Sequence, residues 1–156
     1  MNRLEASLTP YNYDEHPAVH VELAEPKDAV EFVALLGESW TSTALIGDMT
    51  FLLRAQIQDG LAYLEFTDES GCYISIGDPD SPGITDAEFD FYPGSGVPVG
   101  EFAEALQEVV LTRQRPKGIQ WCDHESVFAD YDALAETSEQ TNAIQGDQSL
   151  RAEEQI

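Results

Sequence analysis

Between Arg54 and Arg113 this chain has no lysine or arginine, yet the same stretch holds twelve carboxylates. They are Asp59, Glu65, Asp68, Glu69, Asp78, Asp80, Asp86, Glu88, Asp90, Glu101, Glu104 and Glu108. Uncompensated like charge repels itself and destabilises a compact state, so folding alone gives no reason to keep it. Three reasons would: a basic partner, a high-salt interior, or solubility. Bases are scarce throughout, with 7 Lys and Arg against 30 Asp and Glu in 156 residues and a formal net charge of -23. Such a surface repels nucleic acid and anionic lipid, whose binding rests largely on neutralised phosphates. The one basic cluster, Arg113, Arg115 and Lys117, is too small for a nucleic-acid footprint. It suits the negative end of a helix dipole instead. The expectation is neither a nucleic-acid nor a membrane partner.

Other absences narrow the chemistry. Cys72 and Cys122 are the only cysteines; they allow one disulfide but no framework, and they lack the C-x-x-C spacing of a redox or zinc site. No charged segment leads into an apolar run and no stretch reaches membrane-span length, which predicts a soluble cytoplasmic protein. Gly94-Ser95-Gly96 is not followed by the Gly-Lys-Ser/Thr of a phosphate loop and reads as a loop before a helix. Asp78-Pro79-Asp80 lacks the remaining ligands of a calcium loop and reads as a turn. His16 and His20 stand four apart, but Pro17 and the strand after it deny them a shared helix face. No catalytic constellation emerges. The expectation is a non-enzyme without metal or cofactor.

What remains is a chain whose hydrophobic residues, 42% of the total, can build the core of one domain. Residues 1–17 read as an irregular N-terminal arm, with Pro10 and Pro17 as breakers. Residues 18–121 read as a single α+β domain. Val19, Val21 and Leu23 have the period of a half-buried strand. Pro26 opens a helix at its first turn; Ala29, Phe32, Val33 and Leu36 form its apolar stripe, and Gly37 stops it. Thr50 to Ile57 alternates, Asp59-Gly60 signals a type I′ hairpin, and Leu61 to Thr67 returns. Cys72–Ile76 and Glu88–Phe91 continue the meander, with a breaker-rich loop over Pro93–Gly100. Phe102, Ala105, Leu106, Val109 and Val110 mark a second buried helical stripe, while Glu101, Glu104 and Glu108 lie on its far side. Gly118 to Trp121 is a short last strand. The predicted order is β-α-β-β-β-β-α-β, a mostly antiparallel sheet with two helices on one face. Val127, Phe128, Tyr131 and Leu134 suggest a short helix within 122–136, and 137–156 reads as a disordered acidic tail.

One stretch looks familiar. Phe102-Ala103-Glu104-Ala105-Leu106, then Leu111-Thr112-Arg113-Gln114-Arg115-Pro116 and Trp121, resembles the C-terminal signature of the first numbered immunity family of bacterial polymorphic toxin systems. Members neutralise toxins, often nucleic-acid deaminases. The likeness extends as a pattern over residues 19–121. It implies a protein that binds a cognate toxin stoichiometrically, with Thr112, Arg115, Pro116 and Trp121 as scaffold rather than contact residues. A toxin that handles nucleic acid presents a basic approach to its active site, and an inhibitor of that site needs the opposite sign.

The leading expectation is therefore a toxin-binding immunity protein, monomeric when free, that blocks a basic cleft sterically. Asp68, Glu69, Asp78, Asp80, Glu101, Glu104 and Glu108 are its candidate partner contacts. The alternative is an acidic domain of a salt-adapted organism whose charge serves solvation. A third reading, an enzyme using carboxylates or a histidine in an acidic pocket, would need convergent groups in a deep cleft.

Overall fold

A computed structural model describes residues 2–85 and 90–124, the side chain of Asp90 excepted. The chain falls into two units, Met1–Cys122 and Asp123–Ile156, and the architecture that follows is that of the first. In chain order the elements are β1 (Glu5–Pro10), β2 (Val19–Glu22), α1 (Pro26–Leu36), β3 (Thr41–Gly47), β4 (Phe51–Gln58), β5 (Leu61–Asp68) and β6 (Gly71–Ile76). Then come β7 (Ile84–Thr85), β8 (Asp90–Phe91), β9 (Gly96–Pro98), α2 (Val99–Thr112) and β10 (Gln120–Asp123). The main sheet has the order β10-β6-β5-β4-β3-β1-β2, with β9 added to β5 and β7–β8 as a separate pair. The class is α+β with a meander at its centre, as the sequence predicts.

Four strands depart from that prediction; one of them, β7, pairs with β8 in a separate two-stranded sheet, so the expected Glu88–Phe91 strand does not continue the central meander. Residues 5–10, read as an irregular arm, form β1 between β2 and β3. Leu4, Ala6 and Leu8 are buried while Glu5, Ser7 and Thr9 alternate outward. Pro10 ends the strand at a register shift against β3, a position where the missing N–H costs little. β3 is the second addition. Because β1 is antiparallel to both neighbours, β2 and β3 run parallel to each other on either side of it, and α1 is the crossover. The third is β9, inside the segment read as a loop. It shares the far edge of β5 with β6: β6 covers Glu65–Asp68 and β9 covers Leu61–Tyr63. Leu64, left between them, has its N–H satisfied by the buried Ser75 hydroxyl at 3.2 Å. A Cβ at Gly77 would overlap the Gly96 carbonyl, so only glycine fits this crossing.

The helices pack as their stripes require. Ala29, Phe32, Val33 and Leu36 of α1 and Phe102, Ala105, Leu106, Val109 and Val110 of α2 join Ile46, Leu53, Leu64 and Phe66 in one core. Each large apolar side chain there contributes roughly 1.5–3 kcal/mol of transfer free energy. α1 starts at Pro26 with a capping box, in which Asp28 Oδ2 accepts the N–H of Ala24 and of Glu25, each at 2.9 Å. Gly37 does end α1, but in a right-handed conformation, and the Thr41 hydroxyl takes the freed Leu36 carbonyl at 2.5 Å. α2 stops earlier than the Arg115-Pro116 pair suggests. Arg113 adopts φ 58° and donates its N–H to the Val109 carbonyl at 2.8 Å, which closes the helix three residues before the proline.

On the sheet's other face Tyr63, Ile84 and Phe91 form a small second cluster beside Leu61. Residues 88 and 89 of the expected 88–91 strand, the expected helix within 122–136 and the expected tail lie outside the described residues, except for positions 122–124.

Candidate functional site: the two ends of the sheet

Strand registers sort the charged side chains into two poles. Thr41 is the partner of Pro10, β4 and β5 meet at Asp59-Gly60, and Leu61 pairs with Pro98. One end of the sheet therefore gathers the 11–18 loop, the Gly37–Trp40 connection, the Asp59 turn, and the start of α2 with Glu101. Asp78 joins them, because its N–H donates to the Gly96 carbonyl at 2.8 Å and Gly96 pairs with Tyr63. The opposite end gathers the N-terminus of α1, the turns at 48–50 and 68–71, and the 112–118 loop.

The first end is purely acidic. Asp14, Glu15, Glu38, Asp59, Asp78, Asp80 and Glu101 lie there, and no described Lys or Arg does. Glu104 stands one turn further along α2, exposed. Aromatic surface accompanies the charge. Tyr11 and Tyr13 are 61% and 64% exposed, and half-buried Trp40 stacks on His16 with ring centroids 4.4 Å apart. Tyr11 N–H donates to the Trp40 carbonyl at 3.0 Å, which ties the loop to the sheet end. His16 thus belongs to this aromatic pair, while His20 lies in β2.

The second end is mixed. Arg3, Lys27, Arg113, Arg115 and Lys117 are all there, and several of its carboxylates have structural partners. Asp48 accepts from the Thr50 hydroxyl at 2.6 Å and N–H at 2.9 Å, and meets Arg113 Nη1 at 3.3 Å. Burial alone would raise the Asp48 carboxyl, but Thr50 and Arg113 outweigh it and leave it below the ordinary value. The Ser70 hydroxyl, 2.6 Å away, holds Asp68 low against the opposing effect of burial, and Arg115 adds to the lowering. Glu108 accepts the N–H of Lys117 at 2.7 Å and of Gly118 at 3.3 Å. A groove of about 600 Å³ runs here between Asp68, Arg115, Lys117 and Trp121.

The seven candidate contacts are thus not brought together. Asp78, Asp80 and Glu101 share the acidic end, with Glu104 next to them. Asp68, Glu69 and Glu108 lie at the mixed end, where Asp68 and Glu108 serve local structure. Glu65, mid-sheet, is held by Arg54 at 2.8 Å across the β4–β5 pair. Asp14, Glu15, Glu38 and Asp59 were not among the candidates. Only the Asp59-Gly60 turn offered a local signal for its own position.

Local contacts tie the Thr112–Trp121 segment into the fold. Thr112 donates its hydroxyl to the Glu108 carbonyl at 3.0 Å. Arg115 lies over Tyr73, 3.8 Å from the ring centroid, and Pro116 is buried. Trp121 donates its indole N–H to the Pro116 carbonyl at 2.9 Å and packs against Phe66. Neither cysteine is in a disulfide, and burial, reinforced by the Glu65 charge, pushes Cys72 up from the usual thiol value. No described helix is long and apolar enough to cross a membrane. No family model matches the chain, and no curated protein does either.

Proposed function

We propose that this protein is a stoichiometric inhibitor of a basic protein, acting as an immunity protein that covers the nucleic-acid cleft of a cognate deaminase-type toxin. The observation that carries the reading is the end of the sheet without a described Lys or Arg, where seven carboxylates from five separate segments lie on the same end as exposed Tyr11 and Tyr13. Coherent negative charge speeds and orients encounter with a positive cleft, and aromatic side chains supply the desolvated anchors that charge alone does not. The likeness of residues 102–121 to the first numbered immunity family supports the same reading. Inhibition is steric, needs no cofactor, and is carried out by a monomer.

The test is co-purification of the chain with the product of the neighbouring gene at about 0.15 M salt, where screening acts beyond roughly 8 Å. A complex that weakens as salt rises supports the proposal. Absence of any complex with a toxin-like neighbour rejects it. The salt-adapted alternative would distribute carboxylates over every side, and it requires molar salt for folding. Cooperative unfolding at high temperature in dilute buffer removes that alternative.

A further inference from the structure

We propose that the outer edge of β2 accepts an extended segment of a partner protein as an added strand, one that alternates basic and apolar side chains. The site shares none of the carboxylates that define the acidic end. β2 closes one side of the sheet, and no other described strand pairs with its outer edge. Leu23 N–H donates to the Leu4 carbonyl at 2.8 Å, in register with the Ala6–Val21 and Leu8–Val19 pairs. Alternation of the antiparallel ladder then turns the N–H and C=O of His20 and Glu22 outward. The next outward N–H, that of Ala24, is already taken by Asp28 at 2.9 Å. The open ladder is therefore His20–Glu22.

Edges of natural sheets are commonly blunted by lysine, proline or a bulge. Val19-His20-Val21-Glu22 contains none of these, and its pairing with β1 is regular. A recess flanks this edge on each face. On the helix side a groove of about 350 Å³ is floored by Val21, Leu23, Phe32 and Leu35 and rimmed by Asp28 and Glu31. On the open side a recess of about 440 Å³ includes Glu5, Ser7, His20 and Glu22. An added strand would place the side chain opposite Val21 into the apolar groove and its neighbours on the open face. There Glu5 and Glu22 are direct cross-strand partners, an unfavourable like-charge pair that one incoming Lys or Arg would relieve. Arg3 reaches Glu22 only at 4.0 Å with three-quarters of its side chain exposed. A second copy of the chain fits less well, since it would bring another Glu22 and another acidic surface to the same edge.

The experiment titrates the full ¹⁵N-labelled chain with the peptide acetyl-Lys-Val-Lys-Val-Lys-amide and follows backbone amide shifts and hydrogen exchange. Shifts centred on His20, Val21 and Glu22, with slowed exchange of the His20 and Glu22 amides, are expected. The same peptide N-methylated on its three lysines, whose N–H groups face the edge, and its Glu-Val-Glu-Val-Glu counterpart, should each bind at least tenfold more weakly. His20→Pro removes an outward donor while sparing the ladder to β1, and should weaken binding at least tenfold. Glu22→Lys, which leaves the backbone unchanged, should remove the preference for the basic peptide. Shifts confined to Asp59, Asp78 and Glu101 would overturn the proposal, showing attraction by charge alone. So would equal binding of the N-methylated peptide, no shifts at all, or a dimer in sedimentation that His20→Pro dissolves. None of these results depends on a toxin complex, so this proposal and the inhibitor reading can fail separately.

Discussion

The two ends of the sheet are built from the same kinds of turn and the same abundant carboxylates, yet they spend those carboxylates differently. At the mixed end Asp48, Asp68 and Glu108 each hold backbone N–H groups or a hydroxyl, and Arg113 meets Asp48. At the acidic end Asp80 N–H bonds Asp78 within its own turn, but no described base offsets the accumulated charge. The first arrangement is what a fold needs from an acid. The second adds repulsion that the fold does not need, which is the ground for proposing that it serves contact with a partner.

The sharpest way to break this contrast is to remove a carboxylate from the mixed end. Asp48 is 7% exposed and links the β3–β4 turn to Arg113, which also donates to the Asn2 carbonyl at 2.8 Å. Asp48→Ala leaves Arg113 and the Thr50 donors short of a partner and should cost roughly 2–3 kcal/mol. The urea midpoint would fall accordingly. A loss under half a kcal/mol would show that the mixed end is not structural in the sense argued.

The complementary change acts on the other pole. Asp59→Asn, Asp78→Asn, Asp80→Asn and Glu101→Gln together should leave stability unchanged or slightly raised, as expected for exposed substitutions. Association with the basic partner should slow by roughly 10- to 100-fold at low salt, most of it in the on-rate. Neutralising Asp68 and Glu69 instead should change that rate little. Stopped-flow mixing at two salt concentrations measures both sets, and a reversed order would move the interface to the mixed end.

Why the candidates split this way shows what a sequence can and cannot carry. Periodic elements were readable because their signal is local: the stripes of α1 and α2, and the Asp59-Gly60 turn with both residues at positive φ. β3 was not, because Thr41, Thr43, Ala44 and Ile46 are all buried and two-residue alternation is lost. β9 is three residues long and exists through its pairing with β5, a long-range fact. The poles are long-range too. Asp68 and Asp78 are close in sequence, but β6 carries the chain from the level of Asp68 to that of Tyr63, roughly 17 Å along the sheet. Composition revealed the excess of charge; only the register revealed where it collects.

Acid sharpens the comparison further. Asp48 and Asp68 both sit below the ordinary carboxylate value in the folded chain. Their stabilisation is complete above the unfolded value, near pH 4, and is lost as pH falls through the lower folded values. The advantage in urea midpoint of the natural chain over an Asp48→Asn, Asp68→Asn variant should therefore shrink as pH falls from 5 to 3. An identical drop in both proteins would assign the acid sensitivity elsewhere.

The smallest expected effect compares the turns themselves. At the acidic end the tight turn uses Asp59 and Gly60 at φ 54° and 80°, residue types suited to the left-handed region. At the mixed end Met49 adopts φ 85° while 92% exposed, so its side chain gains almost nothing from burial to offset the backbone strain. Met49→Gly should remove that strain and raise stability by about 1 kcal/mol, less the extra entropy glycine brings to the unfolded chain. Asp48 would keep its bonds to Thr50, so partner binding should not change. A higher melting temperature with an unaltered on-rate would show that this turn is held by its Asp48 bonds and not by the residue at its tip. A lower one would mean that Met49 makes a contribution its exposure does not reveal.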